Sequence, residues 1–136
     1  MSVTLIYAAI MTLALVGLSA AVSLGRQQAR TALGDGGSDL LNRRIRVQGN
    51  FVEYVPLSII LLGMLEMHSA SVYGLILLAL MMVVGRIAHA YSLLVAELNG
   101  TFTFRFIAMQ STWIALAIMA LWVLYYGLGT AVAGAL

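Results

Sequence analysis

Arg46, Asn50 and Glu53 are the residues most able to do chemistry. Their spacing of i, i+4 and i+7 stacks a cation, an amide and a carboxylate along one face of a helix. A planar guanidinium clamps carboxylates through paired hydrogen bonds, an amide donates or accepts, and a carboxylate takes an ammonium. Arg86 and His89 form a second pair, spaced i and i+3 in an otherwise apolar run, and Arg105 stands alone at the start of another. There is no cysteine, so any thiol chemistry must use a sulfur that arrives on a ligand. No second histidine or carboxylate stands at ligand spacing from His89, so no metal is expected.

The elements that position these groups follow from composition. The chain has 136 residues, 62% of them hydrophobic and 9% charged, with a mean hydropathy of +1.02. A chain this short cannot hide that much apolar surface inside a soluble fold, and it is too apolar to be disordered. It also has no basic face dense enough to follow a nucleic acid. One all-α integral membrane domain over residues 1–136 is expected, a four-helix transmembrane bundle with spans at about 3–24, 39–67, 71–94 and 106–128. The first span is too long for a signal-peptide core and is expected to remain in the mature protein. Ser38 or Asp39 is placed to cap the second helix, and Pro56 interrupts its hydrogen bonding.

All seven basic residues are arginine, and they are distributed unevenly. Arg26, Arg30, Arg43, Arg44 and Arg46 follow the first span and Arg105 precedes the fourth, whereas the opposite ends carry none. The positive-inside rule puts both termini outside and the arginine-bearing loops in the cytoplasm. Tyr7, Tyr73, Trp122, Tyr125 and Tyr126 fall at the outer ends, as an interfacial belt would. Gly34 to Ser38 reads as a flexible loop, since it lacks the strand and lysine of a phosphate-binding loop. Gly17, Ala21 and Gly25 offer a small-residue stripe for close helix approach.

Antiparallel pairing of the second and third spans brings Arg46, Asn50, Glu53 and Arg86 to one depth, with Arg105 beside them. Two readings are open. The cluster is either an internal network in which Glu53 neutralises an arginine, or a ligand site. The excess of arginine favours the second, because a structural network tends toward neutrality. A cationic surplus beside one carboxylate suits a ligand with several carboxylates and one ammonium.

The segment Arg46-Val-Gln-Gly-Asn50-Phe-Val-Glu53-Tyr54-Val-Pro56 resembles the R-x-x-x-N-x-x-E…P motif of the MAPEG family, membrane-associated proteins in eicosanoid and glutathione metabolism. Gly85-Arg86-Ile-Ala-His89 is similar to the stretch G-R-x-x-H in that family's third helix, and Phe104-Arg105-Phe to the arginine-led start of its fourth. The resemblance implies a homotrimer of four-helix subunits that binds glutathione, as co-substrate, between neighbouring subunits near the cytosolic face. It implies that Arg46 and Arg86 hold the glutathione carboxylates, that Asn50 bonds its backbone and that Glu53 takes its ammonium. The resemblance further implies that Arg26 contacts the tripeptide from an adjacent helix and that Arg105 stabilises the thiolate as the catalytic residue. Tyr91 stands two residues before the tyrosine position of eicosanoid-metabolising members, where this chain has Leu93, and is taken as its substitute. Eicosanoid synthesis is not expected.

The implied function is a membrane transferase or peroxidase, bacterial in type and of the inner membrane. It would activate the glutathione thiol against a lipophilic electrophile that enters from the membrane lipid. The alternatives are a non-catalytic membrane protein of the same fold and a small transporter. A transporter is disfavoured by polar groups confined to the cytoplasmic half. His89 reads as a packed hydrogen-bonding group or a ligand contact. Glu66, His68 and Glu97 read as solvated loop residues. Phe102, Phe104 and Phe106 read as interfacial anchors.

Overall fold

The computed structural model describes residues 2–99 and 103–133. Four helices run α1 Ser2–Gln28, α2 Asp39–Met67, α3 Val72–Leu94 and α4 Thr103–Ala133, with a short 3-10 helix at Ala96–Asn99 between the last two. Each of the four is long and apolar enough to cross a membrane. No strand occurs among the described residues. Phe102 lies outside them.

Two helices outrun their apolar segments. α1 continues through Gln28 rather than stopping near 24, and α4 begins at Thr103 rather than 106. Hydropathy marks the edge of the apolar band, whereas backbone hydrogen bonding carries a helix on into the polar interface. Arg26 therefore sits in the last turn of α1, where the helix dipole favours a cation. Arg105 sits in the first turn of α4, where the dipole opposes one.

The start of α2 is fixed by local chemistry. Ser38 is the N-cap, its hydroxyl accepting from the Leu41 N–H at 3.3 Å. Asp39 pairs with Arg43 at 2.8 Å, and Arg43 also donates to the Leu93 carbonyl at 3.0 Å, which ties the start of α2 to the end of α3. The preceding loop turns at Gly37, whose φ of +79° suits glycine and whose N–H is held by Asp35 Oδ1 at 3.0 Å.

α2 and α3 form the centre of the bundle, with α1 packed on both and α4 packed on both from the other side. The buried core runs through Met11 of α1, Phe51 and Leu62 of α2, Leu78 and Met82 of α3, and Met119 of α4. The small-residue stripe of α1 is used at one end only. A Cβ at Gly25 would lie 2.9 Å from Leu41 Cδ1, whereas Gly17 faces open space.

Two residues depart from their sequence-based expectations. Tyr7 is buried rather than interfacial, its hydroxyl 2.6 Å from Ser58 Oγ, because burying the ring on α2 supplies a partner for the phenol. Glu66 is not a solvated turn residue. Its carboxylate accepts from the backbone N–H groups of Val3 at 3.0 Å and Thr4 at 2.9 Å, so α2 caps the N-terminus of α1. Glu66→Ala is expected to lower stability by about 1–2 kcal/mol, as loss of a helix cap does. An unfolding titration in mixed detergent checks this.

Candidate functional site

Between two and three turns of α2, from Ile45 to Glu53, carry the site. The stripe of Arg46, Asn50 and Glu53 faces a cleft of about 320 Å³ whose other walls are Ile45, Gly49, His89, Leu93 and Arg105. Five of the eight sequence-predicted residues thus meet in one place: Arg46, Asn50, Glu53, His89 and Arg105. They come together because α2 and α3 run antiparallel and the short connector returns the chain to the same end of the bundle.

Arg86 lies behind the cleft rather than on its wall. Only 4% of its surface is exposed, and it donates to the Asn50 backbone carbonyl at 3.4 Å, to the Asn50 side-chain oxygen and to Thr112 Oγ1. Its guanidinium also lies 5.3 Å from the centre of the Tyr54 ring, which is an ordinary cation–π distance. Gly85 makes this contact reachable. A Cβ there would lie 3.0 Å from Thr112 Oγ1 and 3.3 Å from the Ala108 carbonyl, so glycine lets α4 close on α3. With its oxygen taken by Arg86, the Asn50 amide has its two N–H donors to offer the cleft.

Glu53 pairs with neither Arg46 nor Arg86. Among the described residues, Arg46 and Glu53 carry no ion pair, whereas Asp39 pairs with Arg43 and Glu97 with Arg105. Glu97 corrects its reading as a solvated residue. It sits on the 3-10 helix with a side chain only 6% exposed, 3.3 Å from Arg105. Its other oxygen accepts from the buried Ser92 hydroxyl at 3.2 Å. The charge count changes accordingly: Arg46, Arg86 and Arg105 meet two carboxylates rather than one, and the cluster keeps a net positive charge.

Arg26 and Tyr91 lie elsewhere. Arg26 lines a separate cleft of about 550 Å³ with Ser19, Ser23, Arg30 and Gln48 among its walls. Its Nε is buried with no hydrogen-bond partner among the described residues, and Gln48 donates to Ser19 Oγ at 2.8 Å across the same surface. Gln48 follows Arg46 by two residues, about 200° around a helix, so the two clefts open on nearly opposite faces of α2. Tyr91 is half exposed and packs edge-on to Phe104 at 5.8 Å, outside the walls of both clefts.

Glu97, Ser92, Gln48 and Thr112 were missed in the sequence. Glu97 gave one signal, standing eight residues before Arg105 in a loop with no other acid. Ser92 and Gln48 stand three residues after His89 and two after Arg46, but hydroxyls and amides there read equally well as solvated.

Chemically, the cleft offers two guanidinium groups, one carboxylate, one amide donor pair and a buried imidazole. That set fits a small zwitterion with more acid than base. A family model described as the MAPEG family matches residues 4–125. The inner membrane protein YecN of Escherichia coli strain K12 is 36% identical over 124 residues, which cover 91% of this chain and 92% of that protein. YecN of Escherichia coli O6:H1 matches to the same extent.

Proposed function

This chain belongs to the MAPEG family, and from that membership and the charge of the cleft we propose that it binds glutathione and activates its thiol. The observation that carries this reading is the stripe of Arg46 and Glu53, without an ion pair among the described residues, facing Arg105 across one cleft. Glutathione brings two carboxylates and one ammonium, a net negative charge that suits the positive surplus of the cleft. Arg46 takes a carboxylate, Glu53 the ammonium, and the Asn50 amide a peptide carbonyl. Arg86 holds Asn50 in that orientation and adds long-range attraction, and His89 forms the wall between them. Arg105 stands where it can favour the thiolate, the reactive form of a thiol.

The position of Arg26 supports an oligomer. Its cleft faces away from the Arg46 cleft, so one ligand touches both only where two copies bring unlike faces together. Contact between unlike faces is heterologous and closes into a ring when the rotation allows, which accords with the trimer known in this family. Arg26→Ala is expected to weaken glutathione binding by about tenfold, and cross-linking in native membranes is expected to trap trimers. The site faces the cytoplasm of a bacterial inner membrane, the membrane named for the YecN relatives.

In the reaction, the thiol proton leaves to water at the cleft mouth and the thiolate attacks an electrophile arriving from the bilayer. With a chlorinated nitroaromatic, a carbon–sulfur bond forms and chloride departs. Conjugation of that compound by the purified protein tests the reading. Glutathione flux into proteoliposomes without conjugation would overturn it in favour of transport. The Glu97–Arg105 pair favours one second reading, binding without turnover, in which Arg105 is already neutralised. Binding with no conjugate at any pH would identify that case.

A further inference from the structure

We propose that Glu97 is a positioning residue that holds Arg105 at the mouth of the cleft and sets how much of its charge reaches a bound thiol. This rests on the glutathione reading above. A cation in the first turn of α4 is opposed by the helix dipole, and the side chain of Arg105 is 47% exposed. Glu97 gives that guanidinium a carboxylate partner at 3.3 Å. A carboxylate 6% exposed is stable only with donors on it, and here each oxygen has its own: Ser92 on one, Arg105 on the other. Ser92 is fully buried and lies one turn beyond His89, so the stretch of α3 that forms the cleft wall also anchors the carboxylate.

The charged and titratable groups around a thiol in this cleft are Arg46 and Glu53 from α2, His89 with Arg86 behind it from α3, Glu97 from the 3-10 helix and Arg105 from α4. Arg105 lowers the proton affinity of the thiol. Glu97, one guanidinium further away, opposes it. The two roles of Glu97 separate in two variants. Glu97→Gln removes the charge but keeps an oxygen for Arg105, while its amide N–H can donate to the Ser92 hydroxyl. Glu97→Ala removes both and releases Arg105.

Titrating the ultraviolet thiolate absorbance of bound glutathione against pH in the full-length protein reads both effects. In Glu97→Gln the midpoint is expected to fall by roughly half a pH unit to one unit, the scale of one nearby, partly screened charge. In Glu97→Ala it is expected to lie above that of Glu97→Gln. An unchanged or raised midpoint in Glu97→Gln overturns the proposal, as does coincidence of the two variants. If Glu97→Ala does not fold, Glu97→Gln decides alone. Absence of any thiolate band in the wild type overturns the glutathione reading and this inference together, whereas a wild-type band with no shift in the variants overturns this inference only.

Discussion

Arg46→Ala is expected to remove measurable glutathione binding in equilibrium dialysis while helical content and unfolding in detergent stay those of the wild type. Arg46 is exposed and carries no partner among the described residues, so its removal leaves no buried acid stranded and no contact broken inside the chain. What is lost is a charge-assisted clamp on the ligand, worth about 2–4 kcal/mol when the pair is desolvated in the complex. At 1.4 kcal/mol per decade that is roughly thirtyfold to several hundredfold in affinity. Glu53→Ala behaves alike for the same reason, through the ligand ammonium. Loss of fold in either variant would assign these residues to the structure instead.

Arg105→Ala separates binding from chemistry. Glutathione is expected to bind within about tenfold of wild type, because Arg46 and Glu53 still hold its ends, a contribution typical of a rim charge. Conjugation at pH 7 is expected to fall by about tenfold to a hundredfold. The sign follows from the thiol: a cation beside it favours the charged form, so its removal raises the proton affinity toward that of an ordinary thiol, about 8.5. The rate is therefore lost most at low pH and recovers as pH rises through that value. A loss independent of pH would contradict thiolate stabilisation. Glu97→Gln moves the same profile in the opposite direction.

The fold was legible because hydropathy is a one-dimensional signal: four apolar runs of spanning length admit few other structures. Helix ends were less legible, since the apolar run stops at Leu24 whereas hydrogen bonding carries α1 to Gln28. The α2 stripe was readable because three polar residues at i, i+4 and i+7 are costly in an apolar helix. Arg86 was visible by the same rule, but its partners were not. Its terminal nitrogens bond to Asn50 and Thr112, neutral partners that no charge count predicts, and its buried Nε has no hydrogen-bond partner among the described residues. Glu97 and Glu66 were misjudged because an acid in a loop is solvated by default. Both are instead engaged across the chain, one with Arg105 and one with the start of α1. The separation of Arg26 from Arg46 was likewise invisible, as nearness in sequence says nothing of opposite faces on a bundle.

Titration calorimetry of the detergent-solubilised wild-type protein with glutathione, set against glutathione diethyl ester, tests whether a cationic pocket at the membrane edge receives an anionic peptide. Saturable heat is expected with glutathione, and at least about tenfold weaker binding with the ester, which has lost both carboxylates. Equal affinity for the two, or no heat with either, would contradict the account.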